Sequence, residues 1–349
     1  TALRKPDSPW LLAHALLAFG PHAKLNAQIT VRQYLLQRYI QRKGNALFFP
    51  KVRKKNVIEP HPFFFLFLFS QLQQPLSSSF TYQNKQYTLQ ELFTYAKDSL
   101  PPNLKGKRIG RNAWRYLLLR RYLRPNEWFW RTPKGQQVRL FQHVWNLLLY
   151  LDRQTMIFRQ LQRQNRKEIP KHKIKGQYLY GEIYGGFYLL RAALAWMAHP
   201  ILQKTPKIQR LVQAQLDILF YRYHAETALY QRLFRSAKKN PGRRLLILIQ
   251  QIRFAAHWLK TMFEAFQYKQ LQPTPKQRRT VRSAIQLLCI SILILERLQF
   301  FSPKRIRNMT QLNPQTKRIA IDLLADAAHA RHTLIMLNTQ PQFYMLPKP

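Results

Sequence analysis

The chain has 349 residues, with 58 Lys+Arg against 14 Asp+Glu and a formal net charge of +44. Hydrophobic residues make up 46% and aromatics 13%, which excludes a disordered basic tail, since such tails are poor in both. At most 14 of the 58 basic groups can find a carboxylate one to one, so at least 44 cannot, and phosphate backbones supply counter-charge at the density this needs.

Helix starts are marked by a capping residue followed by proline, because proline at the first helical position lacks only an N–H that would be unpaired anyway. The signal stands at Ser8-Pro9, Thr205-Pro206, Asn240-Pro241, Thr274-Pro275 and Asn313-Pro314, with Ser302-Pro303 a shorter instance. From 47 to 87 the prolines at 50, 60, 62 and 75 and the serines at 77–79 argue against helix. There Phe80-Thr81-Tyr82 and Gln86-Tyr87-Thr88, flanking Asn84-Lys85, predict a small β-hairpin. Thr88 and Glu91 form a capping box ahead of Leu92 and Phe93.

Residues 112–123, 137–163 and 178–198 read as helices, and the polar stretch 165–176 around Pro170 as an exposed loop. Each of 206–240, 241–272, 275–301 and 314–338 then holds one long helix. Ile208, Val212, Leu216, Leu219 and Tyr223 recur at helical spacing in the first, and Leu245, Ile249, Ile252, Ala256 and Leu259 in the second. The fold expected is mainly α: a large helical bundle of long antiparallel helices with a small irregular or β-hairpin insertion near 47–87. Its regions are an N-terminal helical and irregular part (1–104), a basic helical part (105–176) and a C-terminal bundle (177–349).

No membrane-spanning segment is expected. The run of phenylalanine and leucine at 63–69 is too short for a hydrocarbon core of roughly 30 Å and reads as a buried helix or strand. Longer apolar stretches are interrupted by Glu182, Arg191 and His199, or bounded by Arg282, Glu296 and Arg297.

Basic residues gather at the breaks between helices. Those expected to contact nucleic acid are Arg53, Lys54 and Lys55; Lys105, Lys107, Arg108, Arg111, Arg115, Arg120, Arg121 and Arg124; Lys171, Lys173 and Lys175; Lys238, Lys239, Arg243 and Arg244; and Arg278, Arg279 and Arg282. Several fall in the first turn of a helix, where they oppose the macrodipole at about 0.3–1 kcal/mol each unless an anion sits there. Arg111, Arg115 and Arg121 share their helix with Trp114 and Tyr122, a mixture suited to phosphate contact and base stacking. No zinc finger, aromatic strand motif or basic zipper is present, so backbone and shape recognition is the expectation rather than base readout.

Catalytic chemistry leaves little trace. The single cysteine, Cys289, lies in an apolar run and reads as a small hydrophobe. With one cysteine there is no internal disulfide, and an intracellular setting, cytoplasm or organelle matrix, is expected. Asp322, Asp326, His329 and His332 share a helix face and read as solvated rather than metal-ligating. No cofactor is expected. The function expected is a non-catalytic nucleic-acid-binding protein, a structural subunit of a ribonucleoprotein or DNA-handling complex with other protein subunits as partners. Two alternatives make distinct demands. A protein of an anionic membrane surface or secretion apparatus, anchored by 63–69, needs that run exposed. An enzyme acting on a polyanion through Glu182 or His224 needs a second titratable group within hydrogen-bonding distance of one of them.

Overall fold

The computed structural model describes residues 9–50, 63–164, 187–239, 241–269, 273–297 and 314–339. The protein is mainly α-helical with small two-stranded sheets, and it divides into two compact units. Unit 1 comprises Thr1–Pro102, Trp114–Arg139 and Ile294–His332; unit 2 comprises Asn103–Ala113, Leu140–Leu293 and Thr333–Pro349.

Unit 1 is built on α1 (Pro9–Phe19), α2 (Val31–Tyr39), α3 (Phe64–Gln71) and α4 (Leu89–Asp98). Among the described residues it carries three antiparallel hairpins. The first is β1 (Gln41–Lys43) with β2 (Ala46–Phe48), and the second β3 (Ser79–Tyr82) with β4 (Lys85–Thr88). The third, β5 (Phe129–Arg131) with β6 (Gln137–Arg139), comes later in the chain. The second is the hairpin expected from the sequence, with its turn one residue earlier than the Asn84-Lys85 expected there. Tyr82 pairs with Lys85 across a loop of Gln83 and Asn84, whose φ angles of +49° and +60° match the strand-compatible two-residue turn with both central residues left-handed. At the start of α4, the Thr88 backbone N–H donates to Glu91 Oε2 at 2.9 Å, as the capping box requires.

Within the region 47–87, whose prolines argue against helix, the 63–69 run takes the helical form of the buried helix or strand expected of it. Pro62 and Pro75 leave a window between them, and α3 fills it with an apolar run buried on all sides. Phe63 to Phe69 are each 6% exposed or less, and a helix apolar all round belongs in a core. Phe64 meets His14 and Trp114, each at 5.3 Å between ring centroids, and Phe65 meets Phe49 at 4.7 Å. The run is therefore the core of unit 1, not an exposed anchor.

The short helices α5 (Lys107–Arg111) and α6 (Ala113–Tyr122) lead to the long ones. Unit 2 is dominated by α7 (Leu140–Arg163), α8 (Phe187–Met197), α10 (Pro206–Ser236), α11 (Pro241–Lys269) and α12 (Pro275–Arg297), with the short α9 (Pro200–Gln203) before α10. Both α8 and α10 pack on α7 and on α11. All eleven residues of α8 are buried, so it is the central rod of this bundle. The last helix, α13, spans Pro314–Asn338. The proline-marked starts of α1, α10, α11, α12 and α13 fall where the sequence placed them; Ser302-Pro303 lies outside the described residues. Among the described residues, no helix is long and apolar enough to cross a membrane.

Candidate nucleic-acid interface

Four of the acids pair with bases, two of them in the interior. In unit 1, Lys97 and Glu127 form an ion pair. In unit 2, Arg159 meets Asp152 at 2.6 Å, Arg222 meets Glu226 at 2.7 Å, and Arg191 grips Glu264 with two N–H groups, Nε reaching Oε2 at 2.5 Å. The last two pairs are buried, with both arginine side chains at most 2% exposed. Arg222 lies 4.8–4.9 Å from the ring centroids of Phe187 and Phe158. Burial raises the Glu226 carboxyl, and Arg222 pulls it back toward the charged form. Carboxylates held this way cannot screen the basic surface.

Beside the Arg191–Glu264 pair, Lys260 is 2% exposed. Burial, and then Arg191, lowers its ammonium to about 7, while Glu264 acts the other way. Between that value and the ordinary 10.5, the unfolded chain binds a proton that the folded chain does not. Stability therefore rises with pH across this window, and the full cost of Lys260 is present below it. From pH 7 to pH 9 the expected gain is at most about 1.4 kcal/mol per pH unit. Lys260→Met is expected to flatten that slope in urea denaturation and to stabilise the protein at pH 7. Equal slopes for the two proteins would show that Lys260 keeps an ordinary proton affinity.

The basic residues expected to contact nucleic acid take different positions. Lys105, Arg108, Arg121, Arg124, Lys238, Lys239 and Arg279 are exposed, and Arg120, Arg278 and Arg282 are half-buried. Arg120 and Arg121 close α6, where cations favour the helix dipole. Lys238 and Lys239 follow α10, and Arg278 and Arg279 open α12. Arg244 is half-buried, its guanidinium 4.2 Å from the Phe234 ring centroid, so it holds α11 against α10 with only part of its surface free. Arg53, Lys54, Lys55, Lys171, Lys173, Lys175 and Glu182, and the side chains of Lys107, Arg111 and Arg243, lie outside the described residues.

Arg115 does not belong with the exposed set. It is 5% exposed, donates to the Ser99 carbonyl at 3.1 Å, and sits 4.0 Å from the centroid of Phe63. Burial lowers its proton affinity to about 10. Arg115 ties α6 to the end of α4 and to the phenylalanine core. Leu118 and Leu119, three and four residues on and both buried, mark the same helix face as interior.

Among the described residues, no titratable side chain is hydrogen-bonded to His224. Its proton affinity is lowered by burial first and by Lys276 second, and its ring lies against Tyr223. Glu226 is engaged with Arg222. His329 is buried with its Nε2 3.1 Å from Nε2 of His14. Asp326 is 1% exposed and His332 half-buried, so Asp326 and His329 are interior rather than solvated as expected, and the side chain of Asp322 lies outside the described residues. Among the described residues, no three His, Cys, Asp or Glu side chains form a group that would hold a metal ion. Cys289 is half-buried, with its thiol pushed up by burial.

Two basic features were not anticipated. The β5–β6 hairpin turns Arg131, Lys134 and Arg139 outward together with Phe129. In unit 2, α7 and α10 enclose a pocket of ≈250 Å³ with Trp145, Leu148 and Ile208 among its walls and Arg159, Lys207 and Arg210 as its cations. Lys207 Nζ stands 5.3 Å from the Trp145 ring centroid, and the one carboxylate lining the pocket, Asp152, is paired with Arg159. Signals for both stood in the sequence. Thr132-Pro133-Lys134-Gly135 is a turn sequence with proline second and glycine fourth, and Lys207 directly follows a marked helix start.

No protein-family model, curated protein or solved structure matches this chain.

Proposed function

We propose that the chain is a non-catalytic nucleic-acid-binding protein that grips the phosphate backbone through cations at helix ends and hairpins. As a component of a ribonucleoprotein or DNA-handling complex, it would meet RNA or DNA over much of its surface. One observation carries the reading: a net charge of +44 on a folded chain in which two of the 14 acids, Glu226 and Glu264, are buried against internal arginines. A compact body with that charge repels itself, and a polyanion relieves the repulsion by displacing condensed counterions from its own backbone. The anionic-membrane alternative loses its anchor, since residues 63–69 form a core. Among the described residues the enzyme alternative gains no hydrogen-bonded titratable partner at His224, and Glu182 lies outside them.

Retention of the full chain on single-stranded RNA, duplex DNA and anionic vesicles across a salt series tests the reading. With six to ten phosphate contacts, affinity for nucleic acid is expected to fall by about 10³–10⁵ between 50 and 200 mM salt, log-linearly. Absence of nucleic-acid binding at low salt, or tighter retention on vesicles than on either nucleic acid, would overturn it.

A further inference from the structure

The β5–β6 hairpin is held rigidly from one side and left open on the other. Phe129 pairs with Arg139, Trp130 with Val138, and Arg131 with Gln137. Alternation sends Trp130 and Val138 inward, 7% and 0% exposed, and turns the other four outward. On the inner side, Lys97 Nζ stands 5.3 Å from the Trp130 ring centroid and is itself paired with Glu127. The turn is fixed as well. Gly135 N–H donates to the Thr132 carbonyl at 2.8 Å, and Gly135 itself has φ +75°, a left-handed conformation that glycine adopts without strain. Pro133 sets the second turn position, and Lys134 stands exposed at the tip.

The outer face is chemically uniform. Phe129 is 68% exposed, and its ring has no aromatic or cation neighbour among the described residues. Phe19, the other phenylalanine among the described residues exposed to this degree at 69%, has Arg331 beside its ring at 5.3 Å. Arg131, Lys134 and Arg139 have no carboxylate partner among the described residues. One open ring, three cations and the amide of Gln137 are too little apolar surface for the core of a protein interface. They are the elements by which a single strand is held: a π-face for a base and cations for the flanking phosphates. Base faces in a duplex are occupied by their stacked neighbours, so a lone ring is of use only where bases are splayed out.

We propose that the outward face of the β5–β6 hairpin is a stacking platform for single-stranded nucleic acid, with a base on Phe129 and phosphates on Arg131, Lys134 and Arg139. The proposal rests on the nucleic-acid reading above and assigns it a preferred strand form and a residue. The fixed turn and the buried Trp130–Val138 pair keep the face in its binding geometry before the strand arrives, so little ordering is left to oppose association.

The test compares the full-length wild type with Phe129→Ala, Phe129→Trp and Arg131→Gln/Arg139→Gln. Each binds a mixed-sequence RNA oligonucleotide, both single-stranded and annealed to its complement, over a salt series. Thermal melting confirms that the variants fold, as expected for exposed positions. Phe129→Ala is expected to weaken single-strand binding about tenfold and leave duplex binding within about twofold, while Phe129→Trp retains wild-type affinity. The double arginine variant is expected to lower the single-strand salt slope by about 1.4. If wild type binds the single strand but Phe129→Ala binds it equally well, or loses single strand and duplex alike, the platform is refuted while the general reading stands. If wild type binds neither form at low salt, both fall.

Discussion

Replacing Glu264 with alanine is expected to lower the unfolding free energy by about 3–5 kcal/mol. Arg191 is 1% exposed and sends Nε and Nη2 to the two oxygens of Glu264. Lys260, 2% exposed, shares the same carboxylate electrostatically. Removing that carboxylate leaves a guanidinium in the interior facing a lysine, with neither water nor a counter-ion to receive its charge. The size of the loss reflects the stranded cation, not the net worth of the pair, because burying both ions was itself costly. Two variants separate these terms. Glu264→Gln keeps an oxygen acceptor for Arg191 but not the charge, and should fall between wild type and alanine. Arg191→Met combined with Glu264→Leu removes both ions and fills the space with apolar atoms, and should recover most of the loss. Urea denaturation of the set at pH 7 gives the ranking. A Glu264→Ala protein within about 1 kcal/mol of wild type would mean that the pair is solvated, contrary to its burial.

The outline of the fold was legible because its strongest signals are local. Proline at the first position and an oxygen-bearing cap before it are properties of two adjacent residues, so the starts of α10, α12 and α13 fall where the sequence marks them. At α12 the cap closes reciprocally, with Gln277 N–H donating to Thr274 Oγ1 at 3.3 Å and Thr274 N–H to Gln277 Oε1 at 2.9 Å. The hairpins β1–β2 and β5–β6 were missed because strands of three residues are too short to establish a period of two. Their turns were the better evidence, with Gly44 and Gly135 both at positive φ.

The site was less legible because charge alone does not say which way a side chain faces. Arg115 looked like its neighbours Arg120 and Arg121 until its own helix face was considered. Arg191 and Glu264 lie 73 residues apart, and no local pattern connects them. Composition sets the net charge of +44 but not which cations face inward. Some arginines hold the interior together, while Arg121 at the end of α6, Arg131 and Arg139 on the β5–β6 hairpin and Arg279 near the start of α12 stand exposed.

That sorting makes the helix-end cations separable from the charge as a whole. Changing Lys238, Lys239, Lys276 and Arg279 to glutamine, all four exposed in unit 2, is expected to reduce the salt slope of nucleic-acid binding by about 3. A matched variant with Lys24, Arg38, Lys85 and Arg153 neutralised, also all exposed, makes the same change in net charge outside the proposed contacts. Charges farther from a phosphate than the Debye length, about 8 Å at 0.15 M salt, are largely screened. The matched variant should therefore bind close to wild type at that salt and diverge only at low ionic strength. Equal losses in the two variants would show that binding follows the general field and not the helix ends. Stability should move the other way at one position. Lys276 sits in the first turn of α12, where a cation opposes the helix dipole, so Lys276→Gln should stabilise the free protein by about 0.3–1 kcal/mol while weakening its hold on nucleic acid. A residue that costs stability when free and contributes affinity when bound is kept for the ligand, and opposite signs in melting and binding are how that appears in measurement.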